Sequence, residues 1–137
     1  MRPETFSIRL LPTTERSPDG QRLGEIHIGS FVERFVVYPF AGQVESITAR
    51  WSDALRSLVG GAVSVGLPTA SNMAWVLYRF GNQVFVQQML MLGGVGPKLL
   101  PDGTVGQIPA HNEVNEDGQR ISQWVTTVET ISAFVAA

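Results

Sequence analysis

At 137 residues the chain is one domain by length, large enough to bury a hydrophobic core without metal or disulfide staples. It contains no cysteine, which excludes a disulfide framework, a thiol nucleophile, a thiolate metal site and a redox role. A net charge of −2, with Lys98 as the only lysine, leaves no basic stripe for a nucleic acid and no field strong enough to demand a basic partner.

The N-terminus, Met1-Arg2-Pro3-Glu4-Thr5, has no apolar run behind its arginine, so no signal peptide is expected. Phe6 to Leu11 alternates as a half-buried strand does, with Phe6, Ile8 and Leu10 on one face. A polar connection follows from Pro12 to Gln21 and carries Pro18-Asp19-Gly20. Strands over Leu23–Ile28 and Phe31–Tyr38 flank Gly29-Ser30, a short hairpin signal. The longest apolar run, Phe35 to Ala41, falls far short of the ~20 residues that span a bilayer. No membrane association is expected, and the absence of cysteine fits a reducing cytoplasm.

The period then changes. Val44, Ile47, Trp51, Ala54, Leu55 and Leu58 recur at helical spacing, which predicts an amphipathic helix from about Gln43 to Val59, stopped by Gly60-Gly61. Ala62 to Leu67 returns to alternation and is expected to end at Pro68. The clearest hairpin comes next: Met73–Phe80 and Val84–Leu92 flank Gly81-Asn82, and their apolar content on both faces places them at the centre of the sheet. Gly93 to Gly106 reads as a mobile surface loop with a small hairpin at Pro101-Asp102-Gly103. A last strand over Arg120–Val125 leads into a helix over about Thr127–Ala136. The spacing of Thr126 and Glu129 suits a capping box at its start. The fold class is α+β, a mostly antiparallel sheet with about two helices packed on it, and residues 1–137 read as a single domain.

Little here looks like chemistry. His27, mid-strand, and His111, in a loop, lack the spacing of metal ligands, so no metal or cofactor is expected. Ser30, Ser64, Ser71 and Ser122 lie in no nucleophile elbow, and no catalytic residue is assigned. The Gly93-Gly94-Val95-Gly96-Pro97-Lys98 stretch lacks the ending of a phosphate loop and is better read as a flexible connection. Trp51, Trp75 and Trp124 could anchor a partner, but core positions are the safer reading. Glu113, Glu116, Asp117 and Arg120 form a charged segment around an Asp117-Gly118 turn. They read first as a solvated turn, and second as a polar rim contacting a partner.

One resemblance adds to this. The hairpin Trp75-Val76-Leu77-Tyr78-Arg79-Phe80 with Gln83-Val84-Phe85-Val86-Gln87-Gln88-Met89-Leu90 is similar to the sheet core of bacterial contact-dependent growth inhibition immunity proteins. So is the later order of Pro109, Glu113, Glu116-Asp117-Gly118 and Ile121-Ser122-Gln123-Trp124, where Gln123 stands in place of the glutamate more usual in that group. The resemblance covers roughly Met73 to Phe134. It implies a cytoplasmic protein, not an enzyme, that binds and neutralises one cognate toxin C-terminal domain in a tight complex. Were the toxin a nuclease with a basic cleft, Glu113, Glu116 and Asp117 would be its natural steering residues. The alternative is a ligand-binding domain or enzyme with an apolar pocket between helix and sheet, using His27, Tyr38 and Arg79 as its polar groups. Exposed edge strands also leave a homo-oligomer open.

Overall fold

The computed structural model describes residues 5–37, 46–70, 72–91, 96–100 and 104–136. Three strands, β1 (Phe6–Leu10), β2 (Leu23–Ile28) and β3 (Phe31–Val36), form an antiparallel meander, with β2 in the middle. Helix α1 (Ile47–Val59) connects it to a second sheet. That sheet holds β4 (Ser64–Ala70), β5 (Met73–Phe80), β6 (Gln83–Leu90) and, after a small β7 (Lys98–Leu99) and β8 (Val105–Gly106) hairpin, β9 (Gln123–Thr127). Its order is β4-β5-β6-β9, antiparallel throughout, and α2 (Val128–Ala136) closes the chain. The α+β class expected from the sequence is the one observed.

Why these residues take these places follows from their periods. On β1 and β2 the alternate residues Phe6, Ile8, Ile26 and Ile28 are all buried. On α1, Ile47, Trp51, Leu55 and Leu58 are spaced for one face and bury it against the second sheet's Val65, Leu67, Trp75, Leu77, Val84 and Val86. Full burial of such side chains is worth roughly 1.5–3 kcal/mol each. Phe31 stacks on Trp124 at 4.1 Å, and Phe35 meets Trp75 at 6.2 Å and Trp51 at 5.9 Å, so β3 stitches the first sheet to the second. All three tryptophans thus serve the core, Trp124 at its margin. Arg79 donates to the carbonyls of Leu58 (2.7 Å) and Val59 (2.9 Å), a cation seated on the carbonyl end of α1.

The β5–β6 hairpin is central, as its apolar composition predicts, and turns at Gly81 with φ +63°. Three boundaries differ from the sequence reading. Pro68 does not end β4, which runs on to Ala70. The strand is an edge, where a missing N–H is tolerated, and Trp51 Nε1 donates to the Pro68 carbonyl at 2.7 Å. Within the 93–106 stretch, β7 and β8 pair on either side of Pro101-Asp102-Gly103, where the small hairpin was expected, and Val105 sits directly over Gly66. The tip at Pro101-Asp102-Gly103, like Gly93–Val95, lies outside the described residues, as do Tyr38, Gln43 and Leu92 at the ends of predicted elements. The last strand begins at Gln123, because Arg120 pairs instead with Val114. Finally, Thr127 rather than Thr126 caps α2. Its Oγ1 accepts from the Thr130 N–H at 3.0 Å, while Thr126 points inward and is fully buried.

Candidate partner-binding site

The second sheet has an outer face made by Ala74, Val76 and Tyr78 of β5, Phe85, Gln87 and Met89 of β6, and Gln123 and Val125 of β9. Solvent would favour polar residues on such a face, yet Ala74, Val76, Tyr78 and Gln87 are buried. The segment from Thr104 to Ser122 covers them. Val105 packs into the notch left by Gly66, where any Cβ would lie 2.5 Å from that of Val105. Farther along, Tyr78 Oη donates to the Pro109 carbonyl at 2.9 Å, and burial pushes the Tyr78 phenol up to about 12.

At the centre is a polar network whose atoms can be assigned from one end. The Asn112 carbonyl can only accept, so the Gln87 group 2.8 Å away is its amide nitrogen. The second hydrogen of that nitrogen goes to Gln123 Oε1 at 2.9 Å. The same oxygen lies 2.6 Å from His111 Nε2, which therefore carries a hydrogen. The His111 ring stacks on Phe85 at 5.1 Å and meets the edges of Tyr78 (5.1 Å) and Phe80 (5.3 Å). Gln123 is thus an acceptor for two donors, a role the more usual glutamate could also fill, and its presence leaves the arrangement intact.

Beyond this mount projects a hairpin from Glu113 to Ile121, closed by the Ile121 N–H on the Glu113 carbonyl at 2.9 Å. Asn115 shapes its tip: Oδ1 accepts from the N–H groups of Asp117 (2.9 Å) and Gln119 (3.0 Å), and Gly118 takes φ +78°. Glu113, Glu116, Asp117 and Arg120 all lie on this hairpin and are exposed. None of the four side chains has a hydrogen-bond or ion-pair partner among the described residues. Three carboxylates against one guanidinium give the hairpin a charge excess as large as the −2 of the whole chain.

The structure therefore brings the four predicted residues together on one projecting turn. It also exposes what sequence reasoning missed, namely that Gln87, Gln123, His111 and Tyr78 bolt the turn to the sheet. The available signal was Gln87 itself, a polar side chain in an otherwise apolar central strand. The groups proposed for a ligand pocket do not converge. His27 lies on the outer face of the first sheet, 2.6 Å from Glu25, whose carboxyl His27 and Arg34 hold below its usual range. Arg79, on β5, is committed to the last carbonyls of α1, and Tyr38 lies outside the described residues. A cleft of about 270 Å³ between α1 and β4 is lined by neither His27 nor Arg79.

The fold defines a two-sheet α+β protein that carries its exposed charges on a fixed hairpin. The family model described as the CdiI N-terminal domain matches residues 42–134, and the chain belongs to that family. The match opens ahead of α1, well before Met73, so the family likeness includes the helix. In fold the chain is similar to a chain of the CdiA-CT/CdiI toxin and immunity complex from Enterobacter cloacae. The TM-score is 0.70 at 18% identity, over 96% of this chain and 97% of that one. No curated protein matches the sequence significantly. No helix among the described residues is long and apolar enough to cross a membrane.

Proposed function

We propose that this chain is a contact-dependent growth inhibition immunity protein acting as one domain in the cytoplasm. It binds the C-terminal domain of a cognate toxin and neutralises it without catalysis of its own. Membership of the CdiI N-terminal domain family over 42–134 carries this reading. The likeness in fold to a chain of a toxin and immunity complex supports it.

The docking surface is the hairpin bearing Glu113, Glu116, Asp117 and Arg120. Charges without internal partners on a fixed turn can attract an oppositely charged surface and raise the association rate, more at low salt than at high. Such a surface suits a toxin with a basic cleft, as a nuclease would present.

The test uses the cognate toxin domain recovered from native lysate with the tagged chain as bait. Surface plasmon resonance should find a stoichiometric complex whose association rate falls with salt. Changing Glu113 and Glu116 to glutamine and Asp117 to asparagine should slow association and flatten that dependence. Unchanged rate and salt dependence would sink the assignment of the hairpin, and no complex at any salt would sink the toxin-binding reading itself.

A further inference from the structure

A cleft of about 310 Å³ opens beneath the acidic hairpin, between it and β6. Its apolar walls include Met89, Val114 and Ile121, while Gln87 and Glu116 contribute polar lining. The volume is at the bottom of the ~300–1,000 Å³ span of small-molecule sites and suits one long side chain better than a cofactor.

The hydrogen-bond inventory says what that side chain must offer. Asn115 Oδ1 is taken by two backbone N–H groups, Asn112 Oδ1 by the Val114 N–H, and the Asn112 carbonyl by Gln87. Two side-chain acceptors remain. Gln87 Oε1 belongs to a fully buried side chain and has no partner among the described residues. The Glu116 carboxylate has none either. A buried amide oxygen without a donor is costly, and native proteins rarely leave one so unless something else supplies the donor. Apolar walls ending in two acceptors, one of them anionic, complement an aliphatic stem that carries a cation.

We propose that this cleft receives a lysine or arginine side chain of the toxin. Its stem lies against Met89, Val114 and Ile121, and its head sits between Glu116 and Gln87 Oε1. Since that oxygen is covered, the head reaches it as Met89 gives way, an unbranched side chain suited to yielding. The inference rests on the hairpin being the toxin-docking surface.

The test is an NMR titration of the labelled full chain at low salt. The probes are N-acetyl-lysine methylamide and N-acetyl-arginine methylamide, with the uncharged norleucine analogue as control. Saturable shifts are expected at the Gln87 side-chain amide and the Met89, Val114 and Ile121 methyls with the cationic probes, and much smaller ones with norleucine. Glu116→Gln, at an exposed position, should weaken the cationic probes roughly two- to five-fold. Ala110→Leu, which puts a bulkier side chain on the cleft lining, should abolish the shifts. No saturable shift, or equal shifts with norleucine, would overturn the cleft as a cation receptor. If toxin binding depends on the hairpin while the probes do not bind, the cleft fails and the docking reading stands. If the probes bind and toxin affinity is indifferent to Ala110→Leu, the toxin is not the occupant and this inference fails.

Discussion

Replacing Gln123 by alanine removes the one oxygen on which two donors converge, and its cost can be worked from burial. The Gln87 amide is fully buried, so its second hydrogen loses its acceptor with no solvent to replace it, at about 1–3 kcal/mol. His111 is only half-buried and can turn to water, so its loss adds about 0.5–1 kcal/mol. A total of about 1.5–4 kcal/mol is a large part of the ~5–15 kcal/mol that stabilises a folded protein. With a urea slope of about 1–3 kcal/mol/M, the unfolding midpoint should fall by about 1 M. Gln123→Glu keeps an oxygen in front of both donors and should stay within about 1 kcal/mol of the parent. Urea unfolding followed by tryptophan fluorescence measures both variants. Amide exchange over 111–121 should also accelerate in the alanine variant, because the hairpin loses its mount. An alanine variant as stable as the parent, or a glutamate variant as weak as the alanine one, would refute the assigned acceptor role.

Three further outcomes follow from the packing. Thr127→Ala should cost about 1 kcal/mol through its lost cap, whereas Thr126→Val should be neutral or stabilising because its buried Oγ1 has no partner among the described residues. The reverse ranking would restore the capping box expected at Thr126. Gly66→Ala drives a methyl into Val105 and should cost about 1–3 kcal/mol, relieved in part by Val105→Gly. Strictly additive effects of the two changes would refute the contact. For Tyr78 the folded phenol lies at about 12 against an ordinary 10.0, so its contribution to stability is complete below pH 10 and lost as pH rises through 12. An absorbance titration of Tyr38→Phe, which leaves Tyr78 the sole tyrosine, should show that late midpoint; one near 10.0 would contradict the burial.

Much of the scaffold was legible because period reports burial directly. The helical recurrence of Ile47, Trp51, Leu55 and Leu58 and the alternation of Phe6 and Ile8 each name a buried face. The Gly81-Asn82 turn fixed the register of β5 and β6 because only a few turns join strands so closely. The boundaries at Pro68 and Arg120 were not legible, since both depend on a partner distant in sequence. Pro68 is tolerated because β4 is an edge, and Arg120 bridges to Val114 instead of extending β9. Thr126 and Thr127 differ in nothing local that would choose the cap. The sheet decides it by facing Thr126 inward opposite Val84. Within the candidate site, the charges of the turn were visible and their mounting was not. Gln87, His111 and Gln123 are far apart in the chain, and no spacing rule links the three side chains.

That mounting bears on how such a hairpin could recognise anything. A turn tethered only by its ends would lose conformational freedom on binding, at about 0.5–1.5 kcal/mol for each rotamer-rich side chain immobilised, besides the backbone. Here the backbone share is already spent in folding: Asn112 is tied to Gln87, Pro109 to Tyr78, and Asn115 fixes the tip. The exposed side chains remain free, so the surface chemistry can change without disturbing the mount. The side chains of Glu113, Glu116, Asp117 and Arg120 hold no hydrogen bond or ion pair among the described residues, whereas those of Gln87 and Gln123 tie the segment to the sheet. With the hairpin as the proposed docking surface, a scaffold divided in this way would let the partner vary by substitution at the hairpin. Loss at the network instead should weaken binding and stability together, and that coupling separates mounting residues from contacting ones.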